Sequence, residues 1–133
     1  SGYSADQKLL NAPKPVEDQV KDQVRDARWR MVMNSLIVCL FARGVYDETV
    51  ILQGLDALGL SWDGPGLEKL GERALARKYE WKRLCGFDPE AVRMPEKMYS
   101  VQTSTGMIGR ESLARRLALY REHTGLQDGK TPR

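Results

Sequence analysis

Histidine is nearly absent from this chain: His123 is the only one in 133 residues. A serine or cysteine nucleophile usually needs a histidine base, so chemistry by such a pair is nearly excluded. Cysteine is almost as scarce. Cys39 and Cys85 cannot build a disulfide framework, and they fit a reducing compartment. Neither has a local cysteine or histidine partner, whereas a self-contained zinc site needs about four ligands at short spacings. Long apolar runs are missing too. The longest, 36–42, falls well short of the roughly 20 residues of a membrane-spanning helix. No basic-then-apolar segment opens the chain, and Ser1 in place of Met is expected of a trimmed chain or a fragment. Neither sign of charge dominates. The 21 basic and 18 acidic side chains leave +3, which predicts no particular polyanionic partner.

What is present describes an ordinary globular chain. The apolar fraction is 41% and the charged fraction 29%, with a mean hydropathy of -0.50, all usual for a soluble domain. The length predicts one domain, large enough to bury roughly two-thirds of its unfolded surface. The expectation is a cytoplasmic domain with no membrane partner.

Residues 1–15 lack apolar periodicity and carry Pro13 and Pro15, so they read as an arm or linker. From Val16, the positions Val16, Val20, Val24, Ala27 and Met31 recur at the three-and-four spacing of a helix face. The stripe widens over 36–41, where no polar face remains. That end is expected to be buried all round, with Gly44 as the stop. Asp47 is placed to cap a second helix through Leu58, with Val50, Ile51 and Leu55 inward and Gly59 ending it. After the turn at 61–65, a third helix over 66–85 carries Leu67, Leu70, Ala74, Trp81 and Leu84, interrupted by Arg77, and Gly86 stops it. Residues 100–109 read as a loop. A last helix over 111–123 buries Leu113, Leu117 and Tyr120 and closes at Gly125, leaving 127–133 frayed. The prediction is an all-α fold of four main helices, an irregular bundle over 16–126.

Few residues invite chemistry. His123 sits near a helix end, where an imidazole usually faces solvent beside the negative end of the dipole. Gly64 and Gly66 precede a helix, but the next glycine is Gly71, out of register for G-x-G-x-x-G, and no strand comes before them. A capping turn is the expectation there. Arg73, Arg77, Lys78, Lys82, Arg83, Arg115, Arg116 and Arg121 are interspersed with acids such as Glu72 and Glu80, which describes a solvated helix face; a nucleic-acid surface is the sharper alternative. Cys39, inside Ile37-Val38-Cys39-Leu40-Phe41, reads first as a small buried hydrophobe. Its functional alternative is a thiolate ligand at the end of an apolar helix. An iron–sulfur cluster needs about four such thiolates, so that role requires another polypeptide segment.

Several short stretches, taken in order, carry a resemblance. Gly71-Glu72-Arg73, then Gly86-Phe87, then Met94-Pro95 resembles the C-terminal region of aldehyde ferredoxin oxidoreductases, which has a Gly-Glu-Arg helix, a Gly-Phe and a Leu-Pro at the same intervals. Upstream, the segment from Asn34 to Cys39 is similar to that family's D-x-x-G-L-C, whose cysteine is the last ligand of a [4Fe–4S] cluster and whose aspartate contacts a pterin. Tyr120, Gly125, Gly129 and Pro132 resemble the family's last helix and Gly-Trp-Asp tail. The resemblance spans about residues 25–132. Asn34 stands for the aspartate, Ile37 for the glycine, Val92 for an acidic residue and Leu126 for the tryptophan, which implies a divergent member.

The resemblance implies a tungsten or molybdenum bis-pterin enzyme, longer than this chain. It would oxidise an aldehyde or related substrate to an acid and pass electrons through the cluster to ferredoxin or another carrier. This chain would be its C-terminal helical domain, inactive alone. It would supply Cys39 to the cluster and Asn34 at the pterin position, and it would carry an exposed apolar surface around 36–41 where upstream domains pack. The alternative is a stand-alone helical module for a protein or nucleic-acid partner. A third reading is a subunit that kept this fold and lost the cofactor.

Overall fold

The computed structural model describes residues 14–103 and 106–126, and within them the chain is predominantly helical. Helix α1 spans Val16–Ser35, α2 Glu48–Ala57, α3 Gly64–Leu84, α4 Lys97–Ser100 and α5 Arg110–Thr124. Single 3-10 turns at Leu40–Ala42 and Pro89–Ala91 join them. The four main helices match the expected bundle. Residues 100–109 differ from the expected loop: Gln102 pairs with Met107 and Thr103 with Gly106 in a minimal antiparallel ladder.

The helix starts follow from capping chemistry. Asp47 accepts the Val50 amide at 2.9 Å and Asp63 accepts the Gly66 amide at 2.8 Å, each satisfying a donor that the first helical turn leaves unpaired. Pro65 lies in the first turn of α3, where its missing amide costs nothing. Gly64 and Gly66 are therefore the capped start of a helix, as expected.

The helix ends share one device. At the ends of α2, α3 and α5 one amide returns to a carbonyl five residues back, and the amide before it to a carbonyl three residues back. The pairs are Leu60 to Leu55 with Gly59 to Asp56, Phe87 to Lys82 with Gly86 to Arg83, and Leu126 to Arg121 with Gly125 to Glu122. Gly59, Gly86 and Gly125 have φ of 75°, 86° and 65°, the left-handed conformation this closure requires, which glycine adopts without steric cost.

Helix α1 closes in the same way, at Ile37, seven residues before the stop expected at Gly44. Val38 returns to Met33 and Ile37 to Asn34, and Ile37, with φ 57°, is the only described non-glycine residue at positive φ. The expectation that the apolar stretch 36–41 continues the helix to Gly44, buried all round, is thus corrected. The chain leaves the bundle at Leu36, and the side chains of Ile37 and Phe41 are 93% and 94% exposed. Periodicity cannot see a stop that carries no glycine.

The core lies where α1 crosses α3 and α5. Val20, Val24, Val32 and Met33 of α1 are buried, as are Leu67 and Leu75 of α3, Ile51 of α2 and Leu126. The crossing is close because Gly71 is buried without a side chain: a Cβ there would lie 2.5 Å from the Arg28 carbonyl oxygen. The buried stripe of α3 is Leu67, Gly71 and Leu75, so the expected inward positions Trp81 and Leu84 are corrected to exposed. They lie on the half of α3 that runs past the crossing. Val16, Ala27 and Met31 are half-buried rather than fully enclosed. Salt links fasten the helices at their rims: Arg28 reaches Glu72 at 3.0 Å, and Arg115 of α5 pairs with Glu17 of α1.

Of the expected arm 1–15, Lys14 and Pro15 are described. Lys14 is tied down by Asp22, and its carbonyl accepts the Gln19 amide side chain. The rest of that arm and the tail 127–133 lie outside the described residues.

Candidate functional site

The site is the loop that follows α1. Its shape begins with burial: Val32 and Met33 anchor the last turn of α1 in the core, so the chain leaves from a fixed point. The left-handed turn at Ile37 then reverses its direction. Val38 is half-buried and holds the loop to the bundle. Cys39 follows in extended conformation (φ -62°, ψ 122°), and its carbonyl accepts the Ala42 amide at 3.0 Å to start the 3-10 turn. The Cys39 thiol is free and exposed. The first reading, a small buried hydrophobe, is corrected: the turn at Ile37 carries the cysteine out of the core.

Asn34 sits in the last turn of α1, exposed, and its carbonyl accepts the Ile37 amide at 3.2 Å. It therefore shares the closing turn with the residue that aims the loop, three positions before it. Ile37, Leu40 and Phe41 flank Cys39 in sequence. Cysteine sulfur is a soft ligand suited to transition metals and iron–sulfur clusters. The chain offers it singly: among the described residues no group of three or more cysteine, histidine, aspartate or glutamate side chains could hold a metal ion. The second thiol, Cys85, is exposed at the C-cap of α3.

The other candidates are largely engaged in the fold. His123 is half-buried rather than solvent-facing, and its carbonyl accepts from Arg28 at 3.4 Å. Arg77 pairs with Glu80, Arg116 donates to Gln19, and Arg121 bridges Glu90 and the Pro89 carbonyl. Lys82 lies over the rings of Phe87 and Tyr79 at 5.1 and 5.7 Å from their centroids. These contacts take up several cations of the expected basic face. Between α3 and α5, the Tyr79 and Tyr120 hydroxyls meet at 3.2 Å. Burial, and then this hydrogen bond, push the Tyr120 phenol well above the ordinary tyrosine range, so it stays neutral.

Two features lay outside the sequence reading. The conformation of Ile37 had no signal, since its residue type argues against it. The exposed apolar end of α3 had one: Trp81, Leu84 and Phe87 lie beside Lys78, Lys82 and Arg83, a density of charge that a core face does not carry.

Among the described residues, no helix is long and apolar enough to cross a membrane. Comparison with protein-family models, with curated proteins and with solved structures finds no match to this chain in any of the three.

Proposed function

We propose that this chain is the C-terminal helical domain of a tungsten or molybdenum bis-pterin oxidoreductase that resembles aldehyde ferredoxin oxidoreductase, and that Cys39 is the last thiolate of its [4Fe–4S] cluster. The observation that carries the reading is the backbone at Ile37. The D-x-x-G-L-C pattern has its glycine at this position, and the loop here holds a left-handed turn, the conformation that favours glycine. A β-branched residue is a genuine outlier there, as a replacement of that glycine would be. Gly71 and Gly86 lend further support. Both belong to the resembling stretches, and each meets a backbone demand: a close helix crossing at Gly71 and a left-handed stop at Gly86.

The division of labour follows from the loop. The Ile37 turn leaves the Cys39 thiol exposed, where Cys39 would hold one iron of the cluster. Leu40 and Phe41 exclude water around it once the upstream domains pack there, and water exclusion and hydrogen bonds to sulfur tune such a centre. Asn34 offers a neutral amide at the pterin position, able to donate and accept hydrogen bonds but bringing no charge. When bound, the metallopterin supplies the two-electron oxidation of an aldehyde or related substrate to an acid, and the cluster passes electrons onward to ferredoxin or another carrier. The domain alone has no activity.

The test is the iron content of the complete enzyme after Cys39→Ser. The reading expects a marked fall in iron, with the helical circular-dichroism signal intact. Cys85→Ser serves as the control and keeps its iron. Unchanged iron in Cys39→Ser would sink the assignment.

A further inference from the structure

We infer that residues 36–41 form a strap with two positions: the left-handed turn at Ile37, and a continuation of helix α1 that draws Cys39 onto the buried stripe of that helix. The inference goes beyond the oxidoreductase reading and does not depend on it, since it uses the backbone of the loop alone.

The strap carries the residues of a helix. No glycine or proline occurs between Val16 and Arg43, and Gly44 is the first stop that the residue types offer. From buried Val32, the positions Leu36, Cys39 and Leu40 recur at the spacing of one helix face. Val32 belongs to the cluster with Ile51 and Leu67, and Leu36 packs against it. A continued helix therefore lines Cys39 and Leu40 up behind two residues that already face the bundle. Ile37 and Phe41 fall outside this stripe.

The observed position is strained at one residue. Ile37 has φ 57°, an outlier for a β-branched side chain, and that side chain, 93% exposed, gains no burial in return. The turn is held by two closing hydrogen bonds, Val38 to the Met33 carbonyl and Ile37 to the Asn34 carbonyl, and by half-buried Val38. Continuing the helix pairs Ile37 with Met33 and Val38 with Asn34 instead, four residues back in each case. The two positions thus use the same two amides and the same two carbonyls with partners exchanged, and neither leaves a donor unpaired. The connection has slack as well. With 36–41 helical, residues 42–47 remain to reach α2, within the usual helix-to-helix range of about 2–8. The exposed thiol belongs to the turned form, so a ligand that grips the Cys39 sulfur sets the strap by its differential affinity for that form.

Relaxation-dispersion NMR of the chain tests the two positions. The expected result is microsecond-to-millisecond exchange centred on the amides of 36–42, with minor-form carbon shifts of α-helix. Ile37→Gly removes the left-handed cost that opposes the turn, so the helical form should fall at least about fivefold and the exchange fade. Ile37→Leu keeps most of that cost and is the better helix former, so it should raise the helical form. Ile37→Asn, which tolerates the left-handed turn, should lower it, and it keeps the test open if either other variant fails to fold. Three results overturn the inference: no exchange in the parent chain, a minor form whose shifts are not helical, or exchange that the Ile37 variants leave unchanged.

Discussion

Replacing Ile37 by glycine should make this protein more stable, against the usual effect of deleting a large apolar side chain. The Ile37 side chain is 93% exposed, so its removal uncovers no buried surface and leaves no cavity. The backbone term is the deciding one. A left-handed conformation costs an L-residue about 1–2 kcal/mol, with β-branching at the unfavourable end. Glycine removes that strain but adds about 0.4–1 kcal/mol of unfolded-chain entropy. The balance is a gain of about 1 kcal/mol, which for a chain of this size raises Tm by roughly 3–6 °C. Thermal unfolding followed by circular dichroism reads the shift. Ile37→Asn, which tolerates the same conformation, should move Tm in the same direction by less. An unchanged or lowered Tm for Ile37→Gly would refute the backbone argument.

Further outcomes follow from the same structure. Gly71→Ala should destabilise by about 1–3 kcal/mol, despite alanine's better helix propensity, because its Cβ would meet the Arg28 carbonyl at 2.5 Å; denaturant titration measures it, and a stabilised variant would contradict the close crossing. Glu17 is held below the usual carboxylate range by hydrogen bonding at its own backbone and then by Arg115. Its contribution is therefore fully present above the ordinary glutamate value of about 4.3 and lost as pH falls through the lowered one, so Arg115→Ala should flatten the acid limb of a stability–pH curve. Tyr120 carries the opposite sign: raised by burial and by Tyr79, it supports the fold below the ordinary tyrosine value of about 10, and that support fades as pH climbs beyond it. Tyr120→Phe should hold its stability further into alkali than the parent, and an identical alkaline limb would refute the assignment.

How far the fold can be read from the residues alone depends on the kind of signal. The carboxylate caps and the glycine stops are local chemistry, so Asp47, Gly59, Gly86 and Gly125 mark helix ends directly. Ile37 marks one too, but by a conformation its residue type argues against, and the apolar run 36–41 then reads as core although Ile37, Cys39 and Phe41 are exposed. Trp81 and Leu84 mislead for a related reason. Helical spacing reports an apolar face without saying whether this chain or another molecule covers it. At the candidate site Cys39 is visible as a residue, while its exposure is a consequence of the unseen turn.

The proposal that Cys39 completes a cluster built mainly by other sequence is tested most directly by reading the coding DNA upstream of Ser1. The account predicts an open frame of several hundred codons, an order of magnitude set by the size of the further domains such an enzyme needs, with a C-x-x-C-x-x-x-C motif supplying the other three thiolates. A start codon immediately before this segment would leave Cys39 without partners and contradict the account.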